Sequence, residues 1–195
     1  MGLSWVLGVI MTTLFWVTGV VLGGVVFGIV PATVTAFHLI AKMRIDLQRA
    51  QIKMFHDWWQ VYRVHFKQYW RESFIVSLIV FILAVDYLFL NLQTSYLTYV
   101  AFYLTILFFV VGFFVFMWFC FLSARYPEKT LHERVRNAIA YPLAFMLEMI
   151  IITVFSIAAI LAIWAVTPGL VIFTGVGIWL FMWQWVFGKI HDTNG

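Results

Sequence analysis

The stretch SFIVSLIVFILAVDYLFLNLQTSYLTYVAFYLTILFFVVGFFVFMWFCFLSA, Ser73 to Ala124, holds 52 residues and a single charge, Asp86. Roughly 20 apolar residues cross a bilayer core about 30 Å thick, so this length is two crossings. The polar step at Asn91, Gln93, Thr94 and Ser95 divides it into a helix near Phe74 to Leu90 and another near Leu97 to Leu122. A second block, Asn137 to Gly188, repeats the arrangement with Glu148 as its single charge and a break at Thr167-Pro168-Gly169. Pro168 removes a backbone donor and Gly169 admits positive φ, so the chain reverses there. Two apolar hairpins of this size define an all-α, polytopic membrane helix bundle.

Working outward, the remaining apolar block is Met1 to Ala41, too long for one crossing and barely enough for two. Glycines 19, 23, 24 and 28 precede Pro31, and proline suits the first turn of a new helix, which places a break near Gly28 to Pro31. A short helix from Ala32 towards Lys42 then either re-enters the bilayer or lies along its surface. Five crossings are expected, or six if that helix inserts. Met1 to Gly8 has no basic n-region and the apolar run passes 15 residues without an A-x-A-like end, so the first span is expected to remain in place.

Whole-chain composition agrees. Of 195 residues, 65% are hydrophobic and 10% charged, against usual values near 45–50% and about 25%. That excludes a soluble domain, a disordered tail and a nucleic-acid module, and leaves one membrane domain over residues 1–195. All twelve Lys and Arg residues fall on alternate connections. Seven lie between Lys42 and Arg71, four between Arg125 and Arg136, and Lys189 follows the last span. The positive-inside rule therefore assigns those connections and the carboxyl end to the cytoplasm.

Residues 32–72 read as a cytoplasmic amphipathic segment. On a helix Phe55, Trp59, Tyr62, Phe66 and Trp70 share a face, while Arg49, Lys53, Arg63, Lys67 and Arg71 gather about a third of a turn away. Such a basic, aromatic helix lies at a lipid headgroup layer or docks a cytosolic partner.

Two carboxylates interrupt apolar spans, and an intramembrane charge costs from about 2.5 kcal/mol upward unless it finds protein, water or a partner. Glu148 is expected about ten residues into a helix that starts on the cytoplasmic side, either as a satisfied acid or as a partner or transport group. Asp86 lies nearer the outer end of its helix. Gly19-x-x-x-Gly23 and Gly24-x-x-x-Gly28 permit close helix approach, within the chain or between two copies. No Lys-Ser or Lys-Thr follows these glycines, so they form no phosphate loop and ATP is not expected to bind here. The five histidines have no HExxH spacing, and the single cysteine, Cys120, cannot form an internal disulfide. No metal, cofactor or G-x-S-x-G elbow is expected, and the chain does not read as an enzyme.

Val25-Val26-Phe27-Gly28-Ile29-Val30-Pro31-Ala32-Thr33 leads into Phe55-His56-Asp57-Trp58-Trp59 and Phe66-Lys67, and Asp86-Tyr87, Ala124-Arg125-Tyr126, Asn137-Ala138 and Pro168-Gly169 follow in order. Together these resemble the YesL-like family of small bacterial integral membrane proteins, a domain of unknown function. Genes of that family commonly sit beside those for carbohydrate ABC importers. The resemblance thus implies a multi-pass protein of the bacterial cell membrane, a non-catalytic accessory subunit that binds importer permease subunits through its spans and cytoplasmic segment. A stand-alone small transporter with Glu148 as proton or cation site is the alternative. Membrane lipids are the other expected partners.

Overall fold

A computed structural model describes residues 2–45, 54–91 and 96–194. Every regular element among them is a helix: α1 Gly2–Leu22, α2 Ile29–Ile45, α3 Met54–Asn91, α4 Tyr96–Arg125, α5 Leu131–Ala144, α6 Met146–Val166 and α7 Pro168–Asn194. The turn predicted at Gln93 to Ser95, and Arg49 and Lys53 of the basic segment, lie outside the described residues. Three helices are long and apolar enough to cross a membrane, over Phe55–Phe89, Thr98–Arg125 and Met146–Ala165. Large apolar side chains stand exposed along the upper half of α3, the first half of α4 and most of α6. Patches of that extent need a non-aqueous surrounding, and this is a membrane protein.

The α1–α2 connection shows how glycine sets the packing. Val25 N–H donates to Val20 O (2.8 Å) and Gly24 N–H to Val21 O (2.9 Å), a Schellman ending with Gly24 at φ 66°. Val25 follows at φ 62°, a strain of about 1–3 kcal/mol for a β-branched residue. Helix α3 holds that strain in place: the hydroxyls of Ser73 and Ser77 both donate to Val26 O, at 2.9 and 2.8 Å. A Cβ on Gly28 would lie 2.6 Å from Val20 O, so the two helices meet backbone to backbone. Gly19 lies against the Tyr62 ring and Ala32, and Gly23 against Gly28. Three of the four flagged glycines thus serve packing inside the chain. Gly24 meets nothing and provides the turn.

The break expected at Gly28 to Pro31 lies a few residues earlier, at Gly23 to Gly28, because Gly24 ends α1; α2 already starts at Ile29, with Pro31 in its first turn as predicted. Helix α2 is not exposed along one side, as a surface helix would be, but enclosed by its neighbours. From Val30 to Ile40 every residue except His38 is buried, and α2 packs on α1, α3, α4 and α7. Its small and hydroxylated residues permit this. Thr33 accepts from Trp16 Nε1 (3.0 Å), while Thr33 and Thr35 return their hydroxyl protons to the carbonyls of Ile29 and Pro31. Residues 30–40 are therefore the enclosed centre of the bundle, distinct in kind from residues 54–72.

Helix α3 also departs from expectation. The basic segment and the following span form one 38-residue helix, about 57 Å long at 1.5 Å per residue, with no turn between them. Its buried stripe is Trp58, Tyr62, His65, Tyr69 and Ser73. Only Tyr62 of the anticipated aromatic face is buried; Phe55 and Trp70 are exposed, and Trp59 and Phe66 lie between. The segment is aromatic on more than one face, and spacing alone does not select the face that seats.

The opposite wall of the core is aromatic. Trp118 stacks on Phe187 (4.0 Å between centroids) and on Tyr141 (4.6 Å), and Phe121 meets Phe37 edge-on at 6.0 Å. These contacts tie α2, α4, α5 and α7 together. On the far side Gly177 lets α7 touch α1: its N–H donates to Thr13 Oγ1 at 2.9 Å, and a Cβ there would lie 2.4 Å from Val9 O.

Candidate functional site

Where α3, α4 and α5 meet, a polar cluster is sealed inside the bundle. Thr130 caps α5: Glu133 N–H donates to its hydroxyl, and the Glu133 carboxylate accepts from its backbone N–H, a capping box. Those bonds hold the exposed Glu133 carboxyl below its ordinary range. Fixing the start of α5 there directs Arg134, Ala138 and Pro142 inward as one stripe at spacing four. Arg134 is 6% exposed. Its Nη1 donates to Tyr69 Oη (2.7 Å) and Ser123 Oγ (3.1 Å), and its guanidinium carbon lies 5.2 Å from the Tyr69 ring centroid.

The polar chain continues into α2. The Tyr69 ring is 5.8 Å from His65, whose Nδ1 lies 3.0 Å from Thr35 Oγ1. Thr35 already gives its proton to Pro31 O at 2.7 Å, so His65 Nδ1 is the donor in that pair. His65 meets His38 edge to face at 5.9 Å. Arg134 Nε and Glu72 Oε2 are buried without a hydrogen-bond partner. Through Tyr69 and Ser123 the Arg134 guanidinium bolts three helices together. Along the sequence Arg134 counts only among the loop cations. The Thr130-x-x-Glu133 pattern followed by the spacing-four stripe is the signal that marks it.

The two flagged carboxylates lie elsewhere. Glu148 is not ten residues into a helix. Pro142 lacks the N–H that would bond Ala138, and the expected Ala138–Val166 helix breaks at Phe145 (φ −121°, ψ 36°). Glu148 therefore stands in the first turn of α6, where the helix dipole favours an acid, and it is exposed on the outside of the bundle. Thr153 and Ser156, deeper in α6, bond Met149 O and approach Met182 Sδ. Asp86 is also outward, and accepts from the largely buried Thr105 hydroxyl at 2.6 Å, pinning the α3–α4 hairpin.

The proposed docking residues present a mixed face. Arg63 lies over the Trp59 ring at 4.6 Å and Arg71 over Trp70 at 5.3 Å, with Lys67 exposed between them. Phe55 is exposed beside Trp58 and Phe15, and the Phe66 ring leans on Tyr62. Tyr62 itself points inward and donates to Gly19 O at 2.6 Å. Lys42 at the end of α2 pairs with Asp57 in the first turn of α3. Among the described residues no three His, Cys, Asp or Glu side chains gather as a metal site.

Fold and exposed belt define a helical membrane protein built around an enclosed second helix. The family described as "Protein of unknown function, DUF624" matches residues 9–87, which takes in most of α1, all of α2 and α3 as far as Tyr87. The YesL-like proteins are a DUF624 family. The matched portion contains the glycine turn, His38, His65 and Tyr69, and stops short of Arg134 and Glu148. No curated protein and no solved structure matches the chain.

Proposed function

We propose that this chain is a non-catalytic accessory subunit that docks on a partner membrane protein through the outer face of α3, the partner being the permease of a carbohydrate ABC importer. The observation that carries the docking face is the division of labour on α3. Its inner stripe from Trp58 to Ser73 is consumed by the bundle, while Arg63, Lys67 and Arg71 remain outward with indole rings beneath two of them. Arginine and tryptophan are the residues that dominate interface energetics. The sugar-importer partner comes from the YesL-like resemblance.

Orientation follows from charge. Arg71 to Asn91 on α3 and Pro168 to Lys189 on α7 each cover about 30 Å at 1.5 Å per residue, one bilayer core with cations at a single end. That end is cytoplasmic by the positive-inside rule. Gly8 of α1 packs against Met43 of α2, so the two helices run antiparallel with their outer ends together beside Lys42. Helix α2 meets α3 through Lys42–Asp57, Thr35–His65 and Val30–Ser73, at and below the cytoplasmic end of that span, which stands against a sixth crossing by α2. The transporter alternative has against it the outward position of Glu148, since a proton or cation site lines a protein interior or a water-filled path.

Coexpression with a carbohydrate importer permease and its ATPase, followed by purification in mild detergent, tests this reading. The wild-type chain is expected to copurify, and the triple charge reversal Arg63→Glu, Lys67→Glu, Arg71→Glu to lose the partner at least tenfold with its own melting unchanged. A wild-type chain that emerges monodisperse and alone would contradict it.

A further inference from the structure

Between α6 and α7 runs a groove of about 450 Å³, walled by Ile151, Ile152, Phe155, Met182, Trp185 and Val186. It is open along one side and its walls are apolar, a volume within the range of about 300–1,000 Å³ usual for ligand sites. Two charged groups near its end, Glu148 and Lys189, belong to the faces that wall it. Glu148 lies three and four residues before Ile151 and Ile152, and Lys189 lies four and three residues after Trp185 and Val186. The two helices are antiparallel, and Ser156 Oγ reaches Met182 Sδ at 3.4 Å, which fixes their register. Counting eight residues back from Ser156 arrives at Glu148, and seven forward from Met182 arrives at Lys189. The acid and the ammonium therefore stand at one level, at the mouth of an apolar slot. Lys189 lies 5.7 Å from the Trp185 ring, an indole suited to the headgroup layer.

We propose that this groove binds a phosphatidylethanolamine molecule of the surrounding bilayer, one acyl chain along Ile152 and Met182 and the headgroup across Glu148 and Lys189. The assignment rests on charge complementarity. The headgroup carries a phosphate, which accepts charge-assisted hydrogen bonds from the Lys189 ammonium. It also carries a primary ammonium, whose N–H donors fit the Glu148 carboxylate. Phosphatidylcholine presents no N–H to that carboxylate, and phosphatidylglycerol presents no cation at all. The site also gives Glu148 a reason to face outward from the bundle. It is independent of the α3 docking face, and its test uses this chain alone.

Native mass spectrometry of the full chain, released from nonionic detergent containing equimolar phosphatidylethanolamine, phosphatidylcholine and phosphatidylglycerol, reads the preference directly. Phosphatidylethanolamine adducts are expected to exceed each of the others at least threefold. Glu148→Gln should bring phosphatidylethanolamine down to the phosphatidylcholine level. Lys189→Gln should weaken all three lipids, which share the phosphate. Ile151→Trp, at an exposed position that leaves the α6–α7 seam intact, should reduce all three by filling the slot. Equal binding of the three lipids by the wild type, a preference for phosphatidylglycerol, or an unchanged ratio in Glu148→Gln would overturn the proposal.

Discussion

Arg134 and Glu148 lie fourteen positions apart in the chain and in opposite circumstances. The arginine belongs to a polar connection, where charge costs nothing, yet it ends 6% exposed with two side-chain oxygens on one nitrogen. The glutamate interrupts an apolar run, where charge is expensive, yet it ends on the outside in a first helical turn. Hydropathy along the chain thus says little about depth within the protein. What separates the two is Pro142, which breaks the helix between them and lets α5 turn its stripe inward while α6 starts afresh.

Substitutions sharpen or break that contrast. Arg134→Ala should have the largest effect, about 3 kcal/mol, because it removes a charged hydrogen-bond donor and leaves the Tyr69 and Ser123 hydroxyls without it. Thermal unfolding in detergent measures this, and a shift no larger than that of an exposed site would erase the contrast. Gly28→Ala should come next, about 2 kcal/mol, since its Cβ would meet Val20 O at 2.6 Å and overpack backbone that cannot retreat. Partial proteolysis of the α1–α2 turn should rise with it.

Thr130→Ala should cost about 1 kcal/mol by uncapping α5. The capping contribution of Glu133 has a definite sign with pH. Its carboxyl is held below the ordinary value when folded, so the contribution is present above the unfolded-state pKa and fades as pH falls through the lower folded one. In Glu133→Gln the melting temperature should lose that acid limb, which a pH series of melts would reveal. Smallest of all is Glu148→Gln in lipid-free detergent, within about 0.5 kcal/mol of wild type as befits an exposed side chain. A large loss there would place the acid inside.

Much of the fold is legible for physical reasons that leave marks in sequence. The reversal read at Thr167-Pro168-Gly169 falls at Thr167, after α6 ends at Val166; Pro168 opens α7, and Gly169 lies within that helix without the positive φ expected of it. Pro31 marks a helix start. Long uncharged runs mark the apolar helices. The enclosed position of α2 leaves a fainter mark, because a helix buried on every side shows no periodic contrast, only small residues and threonines that return their protons to their own helix. The buried stripe of α3 differs by one position from the one expected, since Trp58 and Trp59 both offer rings and the choice between them rests on the shape of α1 and α2. The cluster around Arg134 draws on three helices distant in sequence, and only its capping box and its stripe are local.

The central claim is that Arg134 bolts α5 to α3 and α4 through Tyr69. A double-mutant cycle of Arg134→Met with Tyr69→Phe, read as unfolding free energy in detergent, tests it most directly. A coupling of at least about 1 kcal/mol is predicted for two groups in direct contact at 2.7 Å. Additivity within about 0.3 kcal/mol would contradict it.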